Sequence, residues 1–233
     1  MKKILSFALA LLMLATFAAC GTQGGNSDAG ASDVEKVISE FHNALFSLDV
    51  EKALTYTLED SEAYNDIAES GSVLDFDTLV NSIPEELASE EMTEVINGVV
   101  EDIKGLMKEY SSYKILETKE EGDTAVVRIK TTVPTQESLT SIDVTEMYDS
   151  QALVSLVIGS FTEEELAELI TLSEEDVQEA MMAKMPSIMK TVFDEVIATV
   201  EENIETGDSE SNYTLEKIDG KWLIVSCEDI IAE

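Results

Sequence analysis

The sequence has few cations. It holds 14 lysine and arginine residues against 49 aspartate and glutamate residues, a formal net charge of −35, and Arg128 is its single arginine. A nucleic-acid-binding protein needs lysine and arginine to contact phosphates, and a domain that adheres to an anionic bilayer needs them as well. The composition therefore excludes nucleic acid as a partner. It leaves cations, basic peptides and neutral apolar ligands open, and it is also typical of a highly soluble surface.

Cysteine and histidine are also scarce, which argues against metal-binding and thiol-based chemistry. Cys20 and Cys227 are the two cysteines, and His42 is the only histidine. A zinc site needs several nitrogen or sulfur ligands, so the sequence predicts no metal and no cofactor. Cys227 follows apolar residues and is expected to be a small buried hydrophobe. His42 is expected to be partly exposed on a helix, and no residue is predicted to be catalytic.

The N-terminus has the features of a lipoprotein signal. A basic start, Met1–Lys3, is followed by the uncharged apolar stretch Ile4–Ala19 and then by Cys20. The stretch is shorter than the ~20 residues of a membrane span, and the small residues before the cysteine are typical of a lipobox. Residues 1–19 are therefore predicted to be removed and Cys20 to carry lipid, at the extracytoplasmic face of the cell membrane. The alternatives are secretion without lipid and an uncleaved anchor helix.

The rest of the chain predicts helices followed by strands. Residues 20–32 are glycine-rich and are expected to form a flexible tether, and residues 33–233 are expected to form a single α+β domain. Apolar residues at spacings of three and four predict a helix that opens at Asp33, its expected N-cap, and breaks near Leu48. The same spacing predicts a longer helix within residues 85–110.

Two hairpins are predicted from alternating apolar residues. The first joins strands at residues 113–118 and 125–133, and the second joins strands at residues 212–218 and 221–227. The second turn is Asp219-Gly220, a pair that tolerates the positive φ angles of a type I′ turn. The pattern predicts a four-stranded antiparallel sheet packed on the N-terminal helices.

A helical insertion, residues 136–208, is predicted between the two hairpins. Thr162 and Ser173 each stand three residues before an acidic residue, which is the sequence of a capping box in the first case and a weaker form of it in the second. Pro186 is expected at the start of the last helix, where proline is favoured. The run Ala152–Ile158 is apolar all round and is expected to be a buried helix.

Two passages carry a resemblance to a known family. One is the opening helix with Phe41 and the phrase Leu48–Ala53, and the other is the terminal hairpin with Lys221 and Trp222. Together they resemble small secreted bacterial lipoproteins with a nuclear-transport-factor-2-like (cystatin-like, SnoaL-like) domain of unknown function. The resemblance implies a curved sheet wrapped around a helix, with a pocket at its wide end. Relatives use this pocket for isomerisation, dehydration or plain ligand binding, so fold alone does not select a function.

Six residues are candidates for ligand binding: Tyr56, Tyr113, Trp222, Met181, Met185 and Met189. The three aromatic residues would line the pocket that the resemblance implies, and the alternative is that they are ordinary core residues. The three methionines have flexible, polarizable side chains that suit an adaptable apolar binding surface, and the alternative is that they fill a core.

The favoured function is that of a membrane-anchored, non-enzymatic module that binds a small apolar ligand or a protein partner. One alternative is an isomerase or dehydratase with a carboxylate and a tyrosine in an apolar pocket. Another is an interaction protein whose pocket is filled. An exposed apolar patch beside a filled cavity would favour the interaction protein, and a pocket carboxylate with a raised pKa would favour the enzyme.

Overall fold

The computed structural model describes residues 31–73, 88–135, 137–138, 147 and 150–230, with only the backbone described for residues 70–73, 150 and 153. Cys20 and the signal sequence lie outside the described residues. The helices and strands within these ranges are, in chain order, α1 Asp33–Phe46, α2 Val50–Leu54, α3 Glu62–Val73, α4 Glu90–Tyr110, β1 Ser112–Glu121, β2 Thr124–Pro134, α5 Ser150–Gly159, α6 Glu163–Leu169, α7 Glu174–Asn203, β3 Thr206–Ile218 and β4 Lys221–Asp229.

The described residues belong to two compact units. The sheet unit comprises residues 31–73, 104–135, 137–138 and 204–230. The helical unit comprises residues 88–103, 147 and 150–203. The assignment of residues 33–233 to one domain stays a prediction.

The four strands form one antiparallel sheet in the order β1-β2-β3-β4. The α+β class and the four-stranded antiparallel sheet are thereby confirmed. The second hairpin turns at Asp219 and Gly220, whose φ angles of 50° and 82° are the left-handed values that a type I′ turn requires. Strand β3 begins at Thr206, earlier than the predicted residue 212, because it pairs with β2 as far as Pro134.

Helix α1 packs its apolar side into the core of the sheet unit. Ser32, rather than Asp33, is its N-cap: the Ser32 hydroxyl accepts from the Glu35 amide, and the Glu35 carboxylate accepts from the Ser32 amide. This reciprocal capping box fixes the start of the helix. The core then combines α1 with inward-facing residues of β2, β3 and β4: Val34, Ile38, Phe41, Ala44, Ala125, Val127, Ile129, Tyr213, Leu215, Trp222 and Ile224.

Residues 56–58 cover the free edge of β4. The Ile224 amide donates to the Tyr56 carbonyl at 2.9 Å, and the Leu58 amide donates to the Ile224 carbonyl at 2.9 Å. The unpaired groups of an edge strand invite association with other chains. This short parallel bridge supplies hydrogen-bond partners to part of the β4 edge from within the sheet unit.

The helical unit corrects two predictions. Helix α7 runs without a break from Glu174 to Asn203, so Pro186 lies inside it and does not begin it. An internal proline costs about 3 kcal/mol, and the buried residues that follow it, from Ile188 to Val200, supply packing that offsets this cost. Helix α5 has the predicted secondary structure but is not fully buried, because two of its apolar side chains are about half exposed. The capping box at Thr162 is confirmed.

Within the described residues, none of the helices is long and apolar enough to span a membrane.

Candidate functional site

An aromatic cluster surrounds His42 in the sheet unit. The His42 ring stacks on the Tyr113 ring, with centroids 5.0 Å apart, and meets Tyr213 edge-on at 5.3 Å. Phe41 and Phe46 complete the cluster, with centroids 5.4 Å and 5.5 Å from the imidazole. These are ordinary packing distances for adjacent rings, so the side chains themselves fill the space around His42.

His42 is fully buried, although its place beside the apolar stripe predicts partial exposure. Its exposed fraction is 0%, and neither Nδ1 nor Nε2 has a hydrogen-bond partner among the described residues. Burial without a partner disfavours the charged ring and lowers the pKa of His42 to about 3. The expectation of a partly exposed residue was wrong because His42 lies next to the apolar stripe of α1, and strand residues distant in sequence cover that side as well.

Two of the aromatic candidates belong to the core. Tyr113 is 8% exposed and Trp222 is 7% exposed, and Trp222 is part of the same buried core cluster as Tyr213. The Lys217 ammonium lies 5.3 Å from the centre of the Trp222 ring, a cation–π contact. The structure therefore supports the interpretation of ordinary core aromatics, while a role in ligand binding stays a prediction.

The third aromatic candidate, Tyr56, is half-buried beside an exposed carboxylate. Burial, followed by a hydrogen bond to Glu40, raises the pKa of Tyr56. A tyrosine and a carboxylate do meet here, as an isomerase-type site would require. Glu40 is exposed to solvent, however, and such a site needs an apolar pocket to tune the carboxylate.

The carboxyl groups with displaced pKa values are stabilised in their charged form. Hydrogen bonds to lysine ammonium groups are the leading cause in each case: Lys36 lowers the pKa of Asp33, Lys184 lowers that of Glu165 to about 2, and Lys130 lowers that of Asp208. A carboxylate that acts as a general base in an apolar site would have a raised pKa instead, because burial disfavours its charged form. These three carboxylates therefore act as ion-pair partners on the surface.

The three candidate methionines lie on α7 in the helical unit and differ in exposure. Met189 is buried, Met185 is half-buried and Met181 is 39% exposed. They follow one helix from its exposed part into its buried part. Met189 therefore serves as core packing, and Met181 contributes to the apolar surface of this unit.

Exposed apolar side chains are concentrated in the helical unit. The large apolar residues exposed there are Val154, Ile158, Ile170, Leu172 and Met181. Ile170 is the most exposed of them, at 86%. Single exposed residues of this kind are normal on a protein surface, and Leu116, Val126 and Ile218 of the sheet unit are exposed as well. A contiguous patch of such residues is what marks an interaction site.

A groove of about 410 Å³ lies between α4 and α7 within the helical unit. Its apolar floor is formed by Val95, Gly98 and Val99 of α4 and by Pro186 of α7. Its rim carries the carboxylates of Glu91, Glu94 and Asp102 from α4 and Asp194 from α7. Among the described lining residues Lys190 is the only cation, and its ammonium contacts Asp194 at 2.7 Å.

The groove was not predicted, although part of its signal is in the sequence. Its α4 residues recur at spacings of three and four, from Glu91 to Asp102, which places them on one helix face. The sequence could not show that this face lies opposite Pro186 and Lys190, because that depends on how two distant helices pack.

Cys227 is a free cysteine that is unreactive in this setting. Cys227 is half-buried against the core, and burial raises the pKa of its thiol. A thiol with a raised pKa stays protonated, and only the thiolate is a strong nucleophile. Cys227 was expected to be a small buried hydrophobe; it packs against the core but is only half-buried.

No protein-family model, no curated protein and no solved structure matches this chain.

Proposed function

We propose that this protein is a lipoprotein held at the extracytoplasmic face of the membrane by lipid on Cys20, and that its folded part is a non-enzymatic binding or accessory module. The basic start, the short apolar stretch and the small residues before Cys20 support the anchor. A diacylglyceryl anchor carries two chains, which is enough for stable attachment.

We further propose that the sheet unit is a variant of the nuclear-transport-factor-2-like fold. Support comes from a long first helix packed on a four-stranded meander and from the terminal hairpin with Lys221 and Trp222. Helices α5–α7 stand between β2 and β3, which is the place of the proposed insertion at residues 136–208. In this view the insertion supplies binding surface that the filled interior of the sheet unit does not.

The observation that carries the binding function is the groove between α4 and α7. It combines an apolar floor with polar groups at its rim, which is the usual composition of a ligand site, and its volume is about 410 Å³. The exposed apolar residues of the same unit favour a partner as well. The isomerase or dehydratase alternative gains no support, because the Tyr56–Glu40 pair is at the surface.

Cys20→Ala is expected to abolish lipidation and signal cleavage. The thiol is the group that accepts the lipid, so the variant should remain as a precursor that takes up no lipid label. Metabolic labelling with an alkyne fatty acid, and mass spectrometry of the N-terminal peptide, would measure both effects. Cys227→Ala is the matched control and should be labelled and cleaved like the wild type. A mature N-terminus at another residue, or a Cys20 without lipid, would refute the anchor.

Binding is tested separately by native mass spectrometry. The full chain, purified gently from its own membranes in nonionic detergent, is compared before and after denaturation. A mass excess that disappears on denaturation, beyond the lipid itself, is expected for an occupied binding site. If no such excess appears and no partner is recovered by cross-linking in intact cells, the binding function is contradicted.

A further inference from the structure

The carboxylates of the groove are spread along its length. Glu91 and Asp102 are eleven residues apart on α4, which corresponds to about 16 Å at the rise of an α-helix. Within the described ranges, no group of three or more acidic, histidine or cysteine side chains could hold a metal ion. The rim therefore matches a ligand with several separated positive charges better than a single compact cation.

The apolar floor of the groove places a second requirement on the ligand. Val95, Val99 and Pro186 present apolar surface, and Gly98 leaves it open: a Cβ added there would meet nothing within 4 Å. An aliphatic chain laid along this floor would remove apolar surface from water, which is favourable. A ligand that fits both floor and rim has charged groups joined by methylene segments.

We propose that the groove binds a linear aliphatic polyamine, with ammonium groups at Glu91, Glu94 and Asp102 and methylene segments on the floor. The groove has the size of a small-molecule site, for which roughly 300–1,000 Å³ is usual. Extended spermine spans about 16 Å between its terminal nitrogens, by the bond lengths that set the reach of any chain. This inference rests on the proposed binding function and names its ligand class.

The positive charge of Lys190 should weaken polyamine binding. Its ammonium lies 2.7 Å from the Asp194 carboxylate, and both residues line the groove. A bound polyamine meets this positive charge and competes with it for Asp194. Lys190→Met keeps an apolar side chain but removes the charge, so the affinity for spermine is expected to rise about two- to fivefold, the range of an exposed ion pair.

The matched control for this variant is Lys184→Met. Lys184 is on the same helix and its ammonium contacts a carboxylate, Glu165, at the same distance of 2.7 Å, but it does not line the groove. Both variants remove one positive charge from α7. The groove variant alone is expected to gain affinity, because a general attraction to the acidic protein would change equally in the two.

Loss of a groove carboxylate should act in the other direction. Glu94→Gln is expected to weaken spermine binding about two- to fivefold, while Glu164→Gln, which removes an exposed carboxylate on α6 outside the groove, should leave it unchanged.

Gly98→Leu should weaken spermine binding about tenfold, because the new side chain would occupy the floor of the groove. Gly105→Leu is its control, because Gly105 is on the same helix, has equally open space and does not line the groove.

The experiment is isothermal titration calorimetry of the full chain in nonionic detergent at low salt, with spermine as probe. Hexaamminecobalt(III), a compact trivalent cation, is the comparison probe and is expected to bind more weakly and without dependence on Gly98. Circular dichroism of each variant establishes that it is folded. Low salt is needed because exposed charges are screened over about 10 Å at 0.1 M ionic strength.

Three results would overturn the polyamine proposal. These are undetectable spermine binding, equal binding of spermine and hexaamminecobalt(III), and equal changes in the groove and control variants. If a synthetic basic peptide instead reproduces the variant pattern, the occupant is a peptide. A native mass excess of another ligand, with no groove-dependent spermine binding, would reject the polyamine but leave the proposed binding function standing. Absence of spermine binding, of any mass excess and of a cross-linked partner would reject both.

Discussion

Trp222→Ala is expected to lower the free energy of unfolding of the sheet unit by about 3–5 kcal/mol, the usual cost of truncating a buried aromatic residue. Trp222 is 7% exposed and packs within the core cluster of α1 and the sheet. Its removal leaves a cavity that α1 and the neighbouring strands cannot fully close. Urea unfolding of the full chain, followed by circular dichroism, measures the effect.

The control for this variant is Lys217→Ala. It removes the cation above the Trp222 ring but leaves the ring in the core, so its cost should not exceed about 1 kcal/mol. A cost below 1 kcal/mol for Trp222→Ala, together with loss of a bound ligand, would contradict the core assignment. It would restore the interpretation of Trp222 as a pocket-lining residue.

The sheet could be predicted from the sequence because its signals are local. The strands of both hairpins alternate on a period of two, and Asp219-Gly220 specifies the turn that the chain adopts. The early part of β3, from Thr206, carries no such alternation, because its residues are polar and its structure comes from pairing with β2. Strand pairing of this kind is a non-local property.

The helical unit was harder to predict because tertiary packing overrides local preference there. Proline at the start of a helix is a sound rule, yet Pro186 lies inside α7, where the packing of the following turns offsets its cost. The apolar run of α5 predicted complete burial, yet Val154 and Ile158 are each about half exposed. The groove could not be predicted for the same reason, since it depends on how α4 and α7 pack and the sequence of neither helix shows that they meet.

His42 presents the opposite case, in which a residue expected at the surface is enclosed. Helix α1 buries His42 and Phe46 beyond one side of its apolar stripe, because β1 and β3 supply Tyr113 and Tyr213 around His42. Hydrophobic periodicity identifies one face of a helix. It does not show how much of the circumference of the helix the rest of the fold will bury.

Burial of His42 predicts a loss of stability in acid. The pKa of His42 is about 3 in the folded protein and near 6.5 in an unfolded chain, so between these values the unfolded chain binds a proton that the folded protein does not. The stability due to neutral His42 is therefore complete above pH 6.5 and is lost progressively as the pH falls toward 3. At pH 5 the loss amounts to about 2 kcal/mol.

His42→Leu is expected to remove this loss. Urea unfolding at pH 7.5 and pH 5, followed by the fluorescence of Trp222, the single tryptophan, should give a decrease about 2 kcal/mol smaller in the variant than in the wild type. Carboxylates elsewhere titrate in both proteins, so the difference between the two isolates His42. Leucine also removes two buried nitrogens without partners, which should raise stability at pH 7.5 by about 1 kcal/mol after the loss of ring stacking.

His42→Gln separates the proton from the polarity of the side chain. Glutamine does not titrate but keeps polar atoms in the aromatic cluster, so it should lose the extra acid sensitivity without gaining stability at pH 7.5. The ring contacts around His42 come from Phe41, Phe46, Tyr113 and Tyr213, and none of these four is a carboxylate or a lysine. Equal pH dependence in the wild type and both variants would mean that the folded protein protonates His42 readily, and that the ring reaches water or an acceptor in solution.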